Sequence, residues 1–396
     1  MLAGGGLVGR RCKLSSAAEI KISRMIYHPV MWLRFRFLSI VLVCLTCTAA
    51  PRRTRNIILV TADGLRWQDL FGGMDPMLKD EKSAGMEHAV EVKAKWWRPE
   101  PDERRRALMP FFWTTLAPKG VVLGNVQKGS SVRVTNAFRV SYPGYSEMLT
   151  GRAQDEVIRG NDAVRNPTPT VLEFLRRKLG LDSSQVALFG SWEMFHLIGE
   201  HDPGSIVINA GYRNYDGPHN SDRMRALSAV QFEMLSPWTE ERHDYITFEM
   251  ALEYMKLAKP RVLHIAFDET DDWAHDKRYN RVLDAINYLD QCLATLWKTI
   301  QESAEYRDST TLIVTSDHGR GRTIDDWYSH GKDVQGAEQI WVAIVGPDTP
   351  AAGERTNVPE ILQRDIAPTM LDVMGADYRE YAGVLGQPIA MALPNN

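Results

Sequence analysis

The chain has 396 residues, 44% hydrophobic and 24% charged, the balance of an ordinary globular protein. A formal net charge of −3 excludes a general nucleic-acid binder, and the one short basic run, Arg104-Arg105-Arg106, follows Glu100, Asp102 and Glu103 and reads as a solvated helix start. Length alone allows one large α/β domain or two smaller ones.

Arg34 and Arg36 precede an apolar run over residues 37–50, which ends in the small residues Thr48, Ala49 and Ala50. A membrane-spanning helix needs roughly 20 apolar residues, so a cleavable export signal over 25–50 is expected rather than an uncleaved anchor. The expected location is periplasmic or secreted, with no stable membrane span after cleavage. Val43 before Cys44 and Thr46 before Cys47 fit a lipoprotein box badly, and the start is either Met1 or Met25. Of the four cysteines only Cys292 lies beyond this segment. An internal disulfide and a cysteine-based zinc site are thereby excluded, so any metal must be held by histidine and carboxylates.

"NIILVTADGLRW" is apolar over Ile57–Val60 and reads as a central strand of a parallel sheet, ending at Asp63-Gly64. "RALMPFFWTTLAPKG" predicts a helix closing at Gly120, and "VVLGNV" a strand. "AFRVSYPGYSEMLTG" is a strand-to-helix corner, with Ser141 at the turn and Pro143 early in the helix. Local sequence allows Ser141 to be an N-cap or a nucleophile. "TPTVLEFLRRKLG" is an amphipathic helix between Thr170 and Gly180, followed by strands in "QVALFGS" and "SIVINAG". Residues 212–245 are polar and read as a surface excursion near the active face. "FEMALEYMKLAKP" is a helix stopped at Pro260, "RVLHIAFDET" a strand, and "RYNRVLDAINYLDQCLATLWKTIQE" a long packed helix. "TTLIVTSDHG" and "QIWVAIVGP" are strands, and "RDIAPTMLDVMGA" is the last helix. Strands alternating with helices predict an α/β fold with a mainly parallel sheet covered on both faces, in a single domain over 55–390.

Ligands in such sheets bind beyond the carboxyl ends of the strands. Three strands here end in acidic or acidic-histidine groups: Asp63, Asp271 with His275, and Asp317-His318; His330 follows in "WYSHGKD". Singly each has a bland reading as a cap, turn former or structural histidine. Jointly, three carboxylates and three histidines fit two divalent cations. Asp271 and His275, four apart, share a face if their segment is helical. Asp317 and His318 serve one ion if the chain turns sharply at Gly319. Asp272 rivals Asp271, and His264 and His219 are spare, His264 reading as core.

The series "TADGLR", "SYPGYSEMLTG", "DDWAH", "SDHGRG" and "SHG" resembles the alkaline phosphatase superfamily, particularly its nucleotide pyrophosphatase/phosphodiesterase and sulfatase-like branches. Each motif is weak alone; five in order across nearly the whole mature chain are specific. The resemblance implies an alkaline-phosphatase-like three-layer α/β/α sandwich. It also implies two metal sites, Asp63, Ser141, Asp317 and His318 for one ion and Asp271, His275 and His330 for the other. The ions would be zinc, or manganese as in the mutase branches. Ser141 would be the nucleophile, passing through a phospho-serine intermediate, with helix amides after it and Asn161 binding phosphoryl oxygens. The sulfatase branch uses a Cys or Ser converted to formylglycine within a Cys/Ser-x-Pro-x-Arg signature. Here Tyr145 stands where the arginine belongs, and Ser141 replaces the threonine common in the phosphodiesterase branch. The implied activity is hydrolysis of a small-molecule phosphate mono- or diester. Sulfate or phosphonate ester hydrolysis, or transfer on a phosphorylated glycan or lipid, is the alternative.

Overall fold

The computed structural model describes residues 52–393, so the export signal expected over 25–50 lies outside the described residues. In chain order the strands are β1 (Asn56–Ala62), β2 (Val121–Leu123), β3 (Val132–Arg133), β4 (Val186–Gly190), β5 (Val207–Ala210), β6 (Val262–Phe267), β7 (Thr310–Thr315), β8 (Gln339–Ile340), β9 (Val342–Val345), β10 (Gly353–Glu354) and β11 (Ile361–Leu362). The α-helices are α1 (Trp67–Gly72), α2 (Ala89–Trp96), α3 (Pro101–Leu108), α4 (Ser141–Thr150), α5 (Val171–Lys178), α6 (Phe195–Ile198), α7 (Asp222–Val230), α8 (Asp244–Ala258), α9 (Glu269–His275), α10 (Tyr279–Glu302) and α11 (Ile366–Val373).

Every residue of β1 is buried, as its apolar run requires of a strand covered on both faces. It pairs in parallel with β6 and β7, at the centre of an eight-stranded sheet ordered β10-β2-β9-β7-β1-β6-β4-β5. The strands from β7 to β5 are parallel, while β9 runs antiparallel to both β7 and β2. A second sheet, β11-β3-β8, is small.

Alternation along β1 divides the core. Ile58 and Val60 pack with Leu70, Leu108, Met255 and Leu283 from α1, α3, α8 and α10. Ile57 and Leu59 pack with Leu149, Leu172 and Met370 from α4, α5 and α11. Helices therefore cover both faces, the three-layer arrangement expected. His264 is wholly buried in β6 and bonded to Thr61 Oγ1 at 3.0 Å, a core histidine as read.

Two stretches differ from expectation. The helix predicted to close at Gly120 is broken: α3 ends at Leu108, a π-helical turn spans Phe112–Leu116 and a 3₁₀ turn Ala117–Lys119. Pro110 and Pro118 lack amide hydrogens and clash with a preceding carbonyl, and Asp290 on α10 accepts the Phe111 and Phe112 amides at 2.9 and 2.7 Å. The polar excursion over 212–245 carries a helix, α7, which starts at the N-cap Ser221.

Candidate active site

Because β6, β1 and β7 are adjacent and parallel, their carboxyl ends deliver Asp63, Asp268–His275 and Asp317-His318 to one place. After β1 the chain reverses at Gly64, with φ +56°, where a Cβ would lie 2.5 Å from Asp271 Oδ1. Only glycine fits, and its amide donates to Asp317 Oδ1 at 3.1 Å. His318 is wholly buried, and its Nδ1 donates to the Gly319 carbonyl at 2.9 Å. Its Nε2 points the other way, 3.3 Å from Asp63 Oδ1 and 3.5 Å from Asp317 Oδ2. Gly319 is needed here because a Cβ would meet the Gln339 carbonyl at 2.2 Å.

The second cluster forms on α9. Asp271 and His275 share a helical face, with His275 Nε2 at 2.9 Å from Asp271 Oδ2. His330, on the loop after β7, brings its own Nε2 to 2.9 Å from that of His275 and to 3.9 Å from Asp271 Oδ1. Its Nδ1 donates to the Arg139 carbonyl at 3.2 Å. Asp63, Asp317 and His318 thus form one set of converging donors, and Asp271, His275 and His330 another. His318 Nε2 is 3.6 Å from Asp271 Oδ1, so the sets adjoin.

Ser141 opens α4 as its first helical residue; the N-cap is Val140, and no side chain caps this end. The serine is 6% exposed and its Oγ lies 3.5 Å from Asp63 Oδ1 and 3.4 Å from His318 Nε2. The hydroxyl therefore faces the first cluster and not the helix amides. Those amides are largely committed: Tyr142 N–H donates to Asn161 Oδ1 at 3.0 Å, Pro143 has none, and Gly144 N–H donates to Val140. This corrects the expectation of an amide-rich anion cradle after Ser141. Asn161 is thereby held beside the start of α4, its Oδ1 taken by the Tyr142 amide. It lines a cavity of about 500 Å³ with Val140, Arg159, His330 and Lys332.

The residues fit divalent cations. Asp63 Oδ2 and Asp317 Oδ2 are buried without a hydrogen-bond partner. The Nε2 atoms of His275 and His330, 2.9 Å apart beside Asp271, are of a type and spacing that a divalent ion could draw together. Burial, then the neighbouring Asp271 carboxylate, push Asp63 well above the ordinary carboxylate range, and burial followed by Asp63 does the same to Asp317. Burial also opposes ionisation of Asp271, but the Arg320 guanidinium and His275 hold it well below that range. Burial, then His318, depress His330. A bound cation would relieve the crowding of the Asp63 and Asp317 carboxylates, which burial otherwise keeps from ionising.

Several participants carried no assignment in the sequence. Arg320 is 2% exposed, pairs with Asp271, and donates to the Gly64 carbonyl at 3.2 Å. Its place in "SDHGRG" was the available signal. Gln363 donates to the Asp317 carbonyl at 2.5 Å from the far end of the chain. Gly144 and Tyr145, which depart from both branch patterns, are packing residues. A Cβ on Gly144 would meet the Asp317 carbonyl at 2.4 Å, and Tyr145 is wholly buried against Phe195 and His264.

The sulfatase family model matches residues 55–376. The chain belongs to the sulfatase family. This sulfatase-family chain is similar in structure to alkaline phosphatase PafA (TM-score 0.56, 11% identity, 87% of this chain and 100% of that one covered). It is also similar to BT1596, a 2-O GAG sulfatase (0.51, 14%, 86% and 74%). A third similar structure is phosphonate monoester hydrolase SpPMH from Silicibacter pomeroyi (0.50, 14%, 86% and 76%). At these identities the likeness is one of fold, and the fold is the three-layer sandwich of the alkaline phosphatase superfamily. No curated protein sequence matches the chain. The sulfatase-family chain is accordingly of hydrolase type. No helix among the described residues is long and apolar enough to cross a membrane.

Proposed function

We propose that this sulfatase-family chain is an exported, two-metal-dependent phosphoric ester hydrolase that works through a phospho-serine on Ser141. The observation that carries the reading is the Ser141 hydroxyl, held at 3.5 Å from Asp63 and 3.4 Å from His318 beside two converging ligand sets. Asp63, Ser141, Asp317 and His318 would hold one ion, and Asp271, His275 and His330 the other; zinc suits the histidine-bearing sets, and manganese is the alternative. Two bound ions would lower the pKa of the serine hydroxyl and offset charge on the phosphoryl group. Ser141 Oγ attacks phosphorus, the ester oxygen leaves, and water then cleaves the phospho-serine. Asn161, with its oxygen tied to the Tyr142 amide, presents its NH₂ group to a phosphoryl oxygen. The leaving group, a small molecule, would occupy the cavity lined by Val140, Arg159 and Lys332.

Phosphate is favoured over sulfate by Tyr145, which replaces the formylglycine-signature arginine and is wholly buried. Aryl phosphate monoesters, diesters, phosphonate esters and sulfate esters, assayed with zinc and with manganese, test the reading. Phosphate esters should be turned over fastest, and Ser141→Ala should lose at least about 10³-fold in kcat. Undiminished hydrolysis by that variant, or a preference for sulfate esters, would sink it.

A further inference from the structure

Two helices from different parts of the chain close each other's ends. α8 and α9 each start on an N-cap residue, His243 and Asp268, whose side chain makes no capping bond. The first amides of a helix have no partner within it, and a buried end needs one from elsewhere. At α9 that partner is Asp244, the first residue of α8. Its Oδ1 accepts the Asp268 amide at 2.9 Å and its Oδ2 the Glu269 amide at 3.2 Å. Glu269, the first residue of α9, returns the bond: its Oε1 accepts the Asp244 amide at 3.1 Å and lies 2.9 Å from His243 Nδ1. A capping box ordinarily closes one helix on itself. Here it is split between two helices, across residues 24 and 25 positions apart. Asp244 is 4% exposed and is itself fixed by Ser191, which follows β4 and donates its hydroxyl to Oδ1 at 2.6 Å.

We propose that Asp244 is the positioning residue of the second ligand set: by holding the start of α9 it fixes where Asp271 and His275 meet His330. The proposal rests on the two-ion reading above. α9 has only seven residues, too few to hold its own first turn without bonds from outside. Asp271 lies in that turn, its amide bonded to the Asp268 carbonyl at 2.8 Å, and His275 lies one turn on. A slip at Asp268 would swing the two ligands together away from His330, which stands on a separate loop. The Glu269 carboxylate also accepts Trp273 Nε1 at 3.4 Å, which ties the next turn to the same cap. Asp63 and Asp317 follow strands β1 and β7, whose pairing fixes them without α9, so loss of the cap falls first on the second ion.

The test uses the full chain, with and without zinc. In zinc-free protein, Asp244→Ala should quicken backbone hydrogen exchange over Asp271–His275 by about tenfold or more. In zinc-loaded protein, competition with a chelator should show one of the two ions held about tenfold more weakly and the other unchanged. Asp244→Asn keeps one acceptor oxygen and should fall between wild type and alanine, which reads the effect even if the alanine variant does not fold. Glu173→Gln is the control, because Glu173 of α5 is wholly buried and accepts the His201 and Asp202 amides at 2.9 and 3.0 Å. It should lower stability and leave both α9 exchange and zinc affinity as in the wild type. Unchanged α9 exchange in the Asp244 variants, quickened exchange with both zinc affinities intact, or the same changes in the Glu173 control would overturn the proposal. Wild-type protein that held no zinc would sink the two-ion reading instead, and α9 exchange would then decide the cap by itself.

Discussion

The Nε2 atoms of His275 and His330 face each other at 2.9 Å, although the residues are 55 positions apart. His330 is oriented for that contact by its other ring nitrogen, since Nδ1 donates to the Arg139 carbonyl. Arg139 itself has φ +55°, a left-handed conformation unusual for a non-glycine residue, and its amide donates to Asn136 Oδ1 at 2.7 Å. Asn136 in turn donates to the wholly buried Glu147 of α4. The helix that carries Ser141 thus aims the histidine of the other ligand set.

Removing His330 should therefore empty one site and spare its neighbour. His330→Ala is expected to lose about one of two zinc ions per chain, since Asp63, Asp317 and His318 do not depend on it. Elemental analysis checks this; loss of both ions or of neither would refute the division of ligands.

Arg320 holds Asp271 ionised, so its loss should raise the carboxyl's pKa. A ligand carboxylate must be deprotonated, and a raised pKa moves the acid limit of metal retention upward. Arg320→Gln should shift that limit by about one pH unit or more toward neutrality. Zinc content after dialysis across an acid pH series reads the shift directly.

Gly144 has no room for a side chain against the Asp317 carbonyl. Gly144→Ala must separate α4 from the strand end that carries Asp317, at a cost of about 1–3 kcal/mol. Denaturant unfolding should show that loss. Because the displaced element bears Ser141, ester hydrolysis should fall more steeply than stability.

His264 supplies a pH-dependent term away from the metals. Burial lowers its pKa from the ordinary 6.5 to about 3, so across that window the unfolded chain binds a proton the folded one rejects. Stability from this group is full above pH 6.5 and lost as pH falls toward 3, by up to about 5 kcal/mol. His264→Gln should flatten this part of the acid-unfolding profile, measured as stability against pH.

The ligand residues were legible because strand ends are legible. A short apolar run that stops at Asp63, at "DET" or at "SDHG" announces both the strand and what lies beyond it. Asp271 over Asp272 came from the Asp-x-x-x-His spacing of the resemblance, since steps of three and four both return to one helix face; in the fold His275 meets Asp271. Asp244 could not be read this way. It closes a polar stretch with no period, and only the fold sets it against the amides of Asp268 and Glu269.

Ser141 shows where the division falls. The sequence by itself determined the α/β class and the residue types able to hold metal ions, because periodicity and side-chain chemistry are local properties. Only the tertiary structure decided that Ser141 is no cap, that Asn161 takes the Tyr142 amide, and that Arg320 steadies Asp271. Those are contacts between residues tens to hundreds of positions apart, fixed by strand order and close backbone approach, which no local pattern encodes.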